Sequence, residues 1–204
     1  MKMKLYGSLT SPFARKVRVL AEELKVADLI EMVVTDPFNP PTEFLAANPL
    51  SKIPTLVTEK GEALPDSGII VEYLLTRGHS GVTSLPRGTK RWSALRRARV
   101  AEGIIESAVA TLLEKRRPES IIYTTFLDRQ AQIILRSVEM LNLEASALAE
   151  DTPSIVEITA GVALAYLDFR MPYLDWRSNH DALLAWYEKF AQRPSMIITQ
   201  PPPA

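Results

Sequence analysis

The chain has 204 residues, 47% of them hydrophobic, and its 24 Lys+Arg balance 24 Asp+Glu. That size fits one compact unit or two small domains, and the charge balance leaves no global field to draw nucleic acid or an anionic membrane. The chain has no apolar run of about 18 residues to span a bilayer, no signal-peptide core in MKMKLYGSLTSP, and no cysteine for a disulfide, a thiolate nucleophile or a metal.

The two histidines, His79 and His180, lie far apart among ordinary polar neighbours. A zinc site needs several ligands at matched spacing, so no metal is expected. A cytoplasmic protein is the default expectation.

Taken in chain order, MKLYG (3–7) reads as a buried strand. PFARKVRVLAEEL (12–24) reads as a helix, with Phe13, Val17, Leu20, Ala21 and Leu24 on one face. LIEMVVT (29–35) is a second strand, and PFNPP (37–41) breaks the chain. TEFLAAN (42–48) is a short helix ended at Asn48-Pro49. PTLVTEKGEALP (54–65) reads as a hairpin turning at Lys60-Gly61, and DSGIIVEYLLTR (66–77) as a closing helix. The order β-α-β-α-β-β-α forces one parallel strand pair and adds an antiparallel one, giving a mixed sheet covered by helices.

GHSGVTSLPRG (78–88) is rich in turn formers and reads as an exposed linker. Beyond it the pattern is helical throughout. One helix is expected from Thr89 to Arg117, stopped by Pro118, and a second from Glu119 to about Ala147. A third covers 153–170, where Ser154 and Glu157 match a capping box ahead of a segment apolar nearly all round. The last spans 179–193, and the prolines of PSMIITQPPPA mark a non-helical tail. The expected domains are therefore 1–78, a linker at 79–88, and an all-α domain at 89–204.

Three short segments carry the chemistry. In GSLTSPFARKVR (7–18), Ser11-Pro12 begins a helix directly after a strand. Serine is a preferred N-cap and proline suits the first helical position, so capping alone accounts for the pair. The same junction offers free N–H groups and the positive end of a helix dipole. There the hydroxyl can donate to a bound thiolate and lower that thiol's pKa. Thr10 and Ser8 are nearby alternatives, and Ser11 is preferred because it alone precedes Pro12 and the helix. Nothing marks Ser11 as a nucleophile, since no G-x-S-x-G elbow surrounds it and neither histidine is placed as its base.

In NPLSKIPTL (48–56), Pro54 either enters a strand or, with a cis bond, turns the Ile53 backbone outward as a free edge. In PDSGIIVEYL (65–74), Asp66 and Ser67 stand at another helix N-terminus. They either cap it or receive a ligand, Ser67 and nearby N–H groups taking a carboxylate and Asp66 an ammonium group.

At these residues the chain resembles the cytosolic glutathione transferases over its whole length, with an N-terminal thioredoxin-like domain, a linker and an all-helical C-terminal domain. Within the family it is most similar to the bacterial YibF-like group, and its SPF serine resembles the serine-type tau class. The endings AYLDFRMPYLDWR and FAQRPSMIITQPP are typical of the bacterial branch. The resemblance implies that Ser11 stabilises the glutathione thiolate, with Phe13 among the glutathione-binding positions. It implies that Ile53 pairs backbone-to-backbone with the cysteinyl unit beside a cis Pro54, and that Asp66 and Ser67 hold the γ-glutamyl end. Lys52 matches a lysine that often reaches the glycyl carboxylate; a solvated lysine is the plain alternative.

The departures narrow the chemistry. Redox relatives carry C-x-x-C where this chain has Ser11, Pro12, Phe13 and Ala14, so exchange through a protein thiolate is excluded. Many relatives have Glu where this chain has the shorter Asp66. The family's T/S-x-x-D helix start appears as Ser154 to Glu157.

A second-substrate pocket is expected from Pro12, Phe13, Ala101, Ile105 and Ala108. Tyr166 and Phe169 are further contributors, although aromatics on a central helix are more often core. The basic run KRWSALRRARV (90–100) interleaves its charges with Trp92, Leu95 and Val100 and reads as a solvated or subunit-facing surface, not a nucleic-acid site. The resemblance also implies a two-fold homodimer through the helices starting at Thr89 and Glu119, with Arg96, Arg97 or Arg99 free to meet acidic residues of the neighbour. Two function classes follow: an enzyme adding glutathione to a small, hydrophobic electrophile, and a non-catalytic member that binds glutathione or a protein partner.

Overall fold

The computed structural model describes residues 2–78 and 81–203. In chain order these form β1 (Met3–Gly7), α1 (Pro12–Glu23), β2 (Ile30–Val34), α2 (Thr42–Ala47), β3 (Thr55–Val57), β4 (Ala63–Pro65) and α3 (Ser67–Leu75). The helices α4 (Thr89–Lys115), α5 (Thr124–Leu143), α6 (Ile155–Arg170), α7 (Asp181–Ala191) and α8 (Pro194–Ile198) follow. The chain divides into two units, 1–82 with 194–204, and 83–193.

In the first unit the sheet order is β2-β1-β3-β4. β1 runs parallel to β2 and antiparallel to β3, and β4 is antiparallel to β3. This is the mixed sheet expected of a thioredoxin-like domain. Gly61 takes φ +85 in the hairpin turn, where the Gly61 N–H donates to the Thr58 carbonyl at 2.9 Å. The core of this unit is made chiefly by β1, β3 and the inward-facing residues of α1, α2 and α3. Leu5, Leu56, Val17, Leu20, Ile70 and Leu74 are fully or almost fully buried. Tyr6 packs on Phe44 with ring centroids 5.5 Å apart.

The second unit is helical, with α4 packed on both α5 and α6. α6 is buried nearly all round, as its apolar composition requires. Its capping box forms: the Ser154 N–H donates to Glu157 at 2.7 Å, and the Ser154 oxygen accepts from the Val156 N–H at 3.1 Å. Gly161 lets α6 and α7 approach closely, since a Cβ there would fall 2.4 Å from the Phe190 ring.

Three expectations are corrected. The second long helix starts at Thr124, not Glu119; Pro118 and Ile122 are extended and enclose a single 3-10 turn at Glu119–Ile121. The Tyr123 N–H, left free before the new helix, donates to the Glu114 carboxylate at 2.9 Å. That helix ends at Leu143, and Ala145–Ala147 form a separate 3-10 turn. The tail is not a proline-broken extension of the helical domain. Residues 194–198 form α8, with Pro194 at the first helical position, and the tail groups with the N-terminal unit through α1. Of the expected linker, His79 and Ser80 lie outside the described residues, and the Thr83 N–H already donates to the Pro153 carbonyl of the helical unit at 2.9 Å.

Candidate functional site

Strand register decides where the three motifs meet. Tyr6, Thr55 and Pro65 stand in one row across β1, β3 and β4. Beyond Tyr6 the chain runs through Gly7 to Ser8–Ser11. Beyond Thr55, going backwards, lie Pro54 and Ile53, and beyond Pro65 come Asp66 and Ser67. Antiparallel pairing thus gathers segments distant in sequence at one end of the sheet. β2 leaves at the same end, where the Thr35 N–H donates to the Gly7 carbonyl at 2.9 Å.

Ser11 is the N-cap of α1, in extended geometry, with Pro12 at the first helical position. Its oxygen accepts from the Ala14 N–H at 3.3 Å. Ser8 and Thr10 hydrogen-bond to each other through their hydroxyls at 3.0 Å, and the Thr10 N–H donates to Ser8 Oγ at 3.2 Å. These two alternatives are therefore engaged in shaping the loop. Gly7 admits the close return of the helix, because a Cβ there would sit 3.0 Å from Ala14 Cβ.

The basic residues that follow Ser11 do not form an exposed patch. Arg15 and Lys16 are buried, at 7% and 3% exposed. Arg15 Nη2 donates to the Met196 carbonyl at 3.0 Å and Arg18 Nη1 to the Thr199 carbonyl at 3.3 Å. Burial draws the Arg18 guanidinium below its ordinary pKa against the opposing pull of Glu22.

The Ile53-Pro54 peptide bond is cis. Among the described residues, neither backbone group of Ile53 has a hydrogen-bond partner within the chain. The loop before it is set by a residue that pattern reading missed. Asn48 is fully buried and its Nδ2 donates both to the Lys52 carbonyl and to Thr55 Oγ1, each at 2.9 Å. Asn48 Oδ1 accepts from the Leu50 N–H at 3.0 Å, and Thr55 Oγ1 donates to the Lys52 carbonyl at 3.0 Å. Ser51 takes φ +51 and its hydroxyl donates to the Pro37 carbonyl at 3.2 Å. In the sequence Asn48 looked only like a helix stop; an amide side chain before a polar loop was the available signal.

Asp66 is exposed and caps α3, accepting from the Gly68 N–H at 2.7 Å. It does so with φ +76 and ψ 134, a conformation that non-glycine residues hold only under constraint. Ser67 is buried beside it. Lys52 is exposed and Phe13 half-buried.

The residues expected around a second substrate are placed differently. Pro12 is buried on α1. Ala101, Ile105 and Ala108 lie on α4 in the other unit with at most 1% of their surface exposed, so none can touch a ligand unless its packing moves. Tyr166 is also buried, while Phe169 keeps part of its surface, and their ring centroids lie 6.5 Å apart. Arg96 and Arg97 are both bound to Glu144 of their own chain, Arg97 at 3.1 Å, and Arg99 to Glu106 at 2.8 Å. The arginines expected to meet a neighbour's acids thus already have partners.

His180 Nε2 lies 3.2 Å from Glu139 Oε2, and His79 lies outside the described residues. Among the described residues no three His, Cys, Asp or Glu side chains group as metal ligands, and no helix is long and apolar enough to cross a membrane.

Comparison with known proteins finds relatives that match segments in both units of the chain. The family model for the glutathione S-transferase N-terminal domain matches residues 10–77, and that for the C-terminal domain matches residues 124–189. The GST-like protein YibF of Escherichia coli K12 is 34% identical over 99% of this chain and all of its own length. A glutathione transferase family member from Pseudomonas fluorescens Pf-5, solved with bound glutathione, superposes with a TM-score of 0.87 at 34% identity, covering 98% of this chain and 100% of that one. A second structure from that organism, holding S-(propanoic acid)-glutathione, gives 0.83 at 32% identity over 100% of this chain and 99% of that one.

Proposed function

The chain belongs to the glutathione S-transferase family, and on that premise we propose that it activates glutathione through the Ser11 hydroxyl for attack on a small electrophile. The observation that carries this reading is the convergence, at one sheet end, of the Ser11 hydroxyl, the unpartnered Ile53 backbone and the Asp66–Ser67 helix start. An extended peptide laid along that end pairs its cysteinyl backbone with Ile53. Its γ-glutamyl ammonium meets Asp66, its carboxylate meets the start of α3 near Ser67, and Lys52 reaches toward the glycyl carboxylate.

The sulfur then lies at the N-terminus of α1, beside Phe13. There the helix dipole and the Ser11 O–H favour the thiolate over the thiol. Each pKa unit by which the thiol is lowered corresponds to about 1.4 kcal/mol of preference for the anion. The thiolate forms a C–S bond to the electrophile. The displaced electron pair leaves with the leaving group, or is protonated on the adjacent carbon when the reaction is an addition. The sulfur-substituted glutathione held by the Pseudomonas fluorescens relative supports a site that admits a group on sulfur.

The reading carries a cytoplasmic location, where the glutathione pool is reduced. It also carries a homodimer, supported by Trp92 and Leu143 of the helical unit, which are 71% and 73% exposed in the single chain. Sedimentation equilibrium at micromolar concentration tests that assembly, and a mass near 22.8 kDa would rule it out. For the activity, calorimetric titration with glutathione is run beside turnover of a panel of electrophiles. Binding with turnover of at least one is expected. Tight binding with no turnover of any would leave a glutathione-binding protein in place of an enzyme.

A further inference from the structure

The basic run that follows Ser11 on α1 has no part in the transferase reading, yet its first member is turned into the interior of the first unit. Arg15 is buried, and its guanidinium reaches the C-terminal segment of the same unit. Nη2 donates to the Met196 carbonyl at 3.0 Å and Nε to Thr199 Oγ1 at 3.5 Å. Thr199 is buried too, and its hydroxyl proton is committed to the Ser195 carbonyl at 2.7 Å, which leaves its lone pairs for Arg15. Farther along α1, Arg18 Nη1 donates to the Thr199 carbonyl at 3.3 Å, and at the last residue of the helix the Ser195 hydroxyl donates to Glu23 at 2.5 Å. The segment 194–199 therefore holds α1 near its start, at its middle and at its end.

The start of α1 is also where Ser11 stands. The Arg15 N–H donates to the Ser11 carbonyl at 2.9 Å, so the residue whose side chain is clamped is the one whose backbone closes the turn on Ser11. Stability explains such an arginine poorly. Taking a guanidinium out of water is costly, and a well-packed apolar side chain in the same space often stabilises a fold as well or better. What a planar, forked donor adds is register, because it fixes direction as well as distance. A hydroxyl that must meet a sulfur needs that register, since a displacement of about 1 Å at a reacting centre can cost about 100-fold in rate.

We propose that Arg15 is a positioning residue for Ser11. Through its donors to Met196 and Thr199, the C-terminal segment sets the first turn of α1, and with it the angle at which the Ser11 hydroxyl meets the glutathione sulfur. The inference rests on the reading of Ser11 as the thiolate donor and gives a role in it to a segment almost at the other end of the chain. Arg15 and Thr199 act through Ser11 and make no contact with the ligand, so their loss should change the state of the sulfur and leave the grip on the peptide as it was.

The test compares the full-length protein with Arg15→Met, Arg15→Lys, Thr199→Val and, as reference, Ser11→Ala. Absorbance titration reads the thiol pKa of bound glutathione, and calorimetry with S-methylglutathione, which has no thiol to ionise, reads the grip on the peptide alone. In Arg15→Met the pKa should rise by about one unit, a thiolate fraction about tenfold lower at any pH well below it. Arg15→Lys keeps the charge but not the fork, and Thr199→Val keeps the shape but not the acceptor, so each should lower that fraction by about threefold. Affinity for S-methylglutathione should stay within about twofold in all three. If Arg15→Met does not fold, the two milder variants decide. A pKa that rises in Ser11→Ala but is unmoved in both of them overturns the proposal and leaves the donor role of Ser11 standing. Loss of S-methylglutathione affinity in step with the pKa overturns it too, because the tail would then be supporting the whole site. A pKa unmoved even in Ser11→Ala, or no binding of glutathione, overturns this inference and the transferase reading together.

Discussion

The Ser11 hydroxyl oxygen accepts from the Ala14 N–H at 3.3 Å, and this leaves the hydroxyl's own proton free to donate. A cap uses a lone pair, whereas activation of a thiol uses the O–H. The two roles expected of this serine are therefore compatible, and substitution can separate them. Ser11→Gly keeps a residue that N-caps almost as well as serine, at a cost of only a few tenths of a kcal/mol, whereas Ser11→Ala costs about 1 kcal/mol of helix stability. Thermal melts should rank serine, then glycine, then alanine. The pKa of bound glutathione, followed by thiolate absorbance, should rise equally in both variants. If glycine leaves that pKa unchanged, the donor is Thr10, Ser8 or the backbone.

Asp66 offers a similar separation. At φ +76 and ψ 134 its backbone favours glycine, and a non-glycine residue there stores about 1–3 kcal/mol of strain. Asp66→Gly should therefore be the more stable variant, and Asp66→Ala the less, since alanine keeps the strain and loses the cap to the Gly68 N–H. Both should weaken glutathione binding by about 1–3 kcal/mol, the range for losing the partner of a charged group. Calorimetry and melting on the same samples check this. Full affinity in both variants would show that the γ-glutamyl end does not use Asp66.

How far the sequence could be read follows from what marks each element. Several turns of the first unit are marked by Gly, Pro or a capping side chain, so Ser11, Asp66 and Lys60-Gly61 all announced their turns. The meeting of the three motifs at the row Tyr6, Thr55, Pro65 depends on strand register, which two three-residue strands do not specify by pattern alone. Proline was misread twice. Pro194 opens a helix, and after Pro118 the chain turns before α5 begins at Thr124. The burial of Arg15 was hidden because its acceptors, Met196 and Thr199, lie in a distant part of the chain.

Asn48 should act on binding without touching glutathione. Asn48→Ala removes one of the two donors to the Lys52 carbonyl and the donor to Thr55 Oγ1, and takes the acceptor from the Leu50 N–H, at about 1–3 kcal/mol of stability. Because Lys52 and Ile53 follow from that loop, glutathione affinity should fall as well. Thr55→Val removes one member of the network and should give a smaller loss of the same kind. Destabilisation with unchanged affinity would make Asn48 a folding residue only.

The helical unit has a carboxylate whose titration should appear in an acid melt. Burial works to raise the Glu144 pKa, but hydrogen bonds and charge from Arg96 and Arg97 outweigh it and hold the group below its ordinary range. A carboxyl with a depressed folded pKa stabilises the protein above its unfolded pKa, about 4.3, and that contribution is lost as pH falls through the lower folded value. Stability should drop on acidification across that window. Glu144→Gln should flatten this part of the profile while costing about 1 kcal/mol or less at neutral pH, because the pair is partly open to solvent. An acid limb unchanged by the substitution would assign the loss to other carboxylates.

The C-terminal tail gives the last prediction. α8 lies on α1, and its attachment is polar as well as apolar. Arg15 Nη2 donates to the Met196 carbonyl at 3.0 Å, Arg18 Nη1 to the Thr199 carbonyl at 3.3 Å, and the Ser195 hydroxyl to Glu23 at 2.5 Å. Met196 is buried as well. A chain ending at Arg193 would open the buried face of the helix that Ser11 caps and strip Arg15 of those acceptors. Hydrogen bonds to charged groups contribute about 1.5–3 kcal/mol each, so truncation should destabilise the first unit by several kcal/mol. Thr199→Ala is milder. It removes the hydroxyl that donates to the Ser195 carbonyl at 2.7 Å and that accepts from Arg15 Nε at 3.5 Å. It should lower stability by about 1 kcal/mol. Hydrogen exchange distinguishes a latch from a passive end, because faster exchange in α1 is expected in both variants with little change in α5. Unaltered protection of α1 after truncation would show that the tail rests on the helix without holding it.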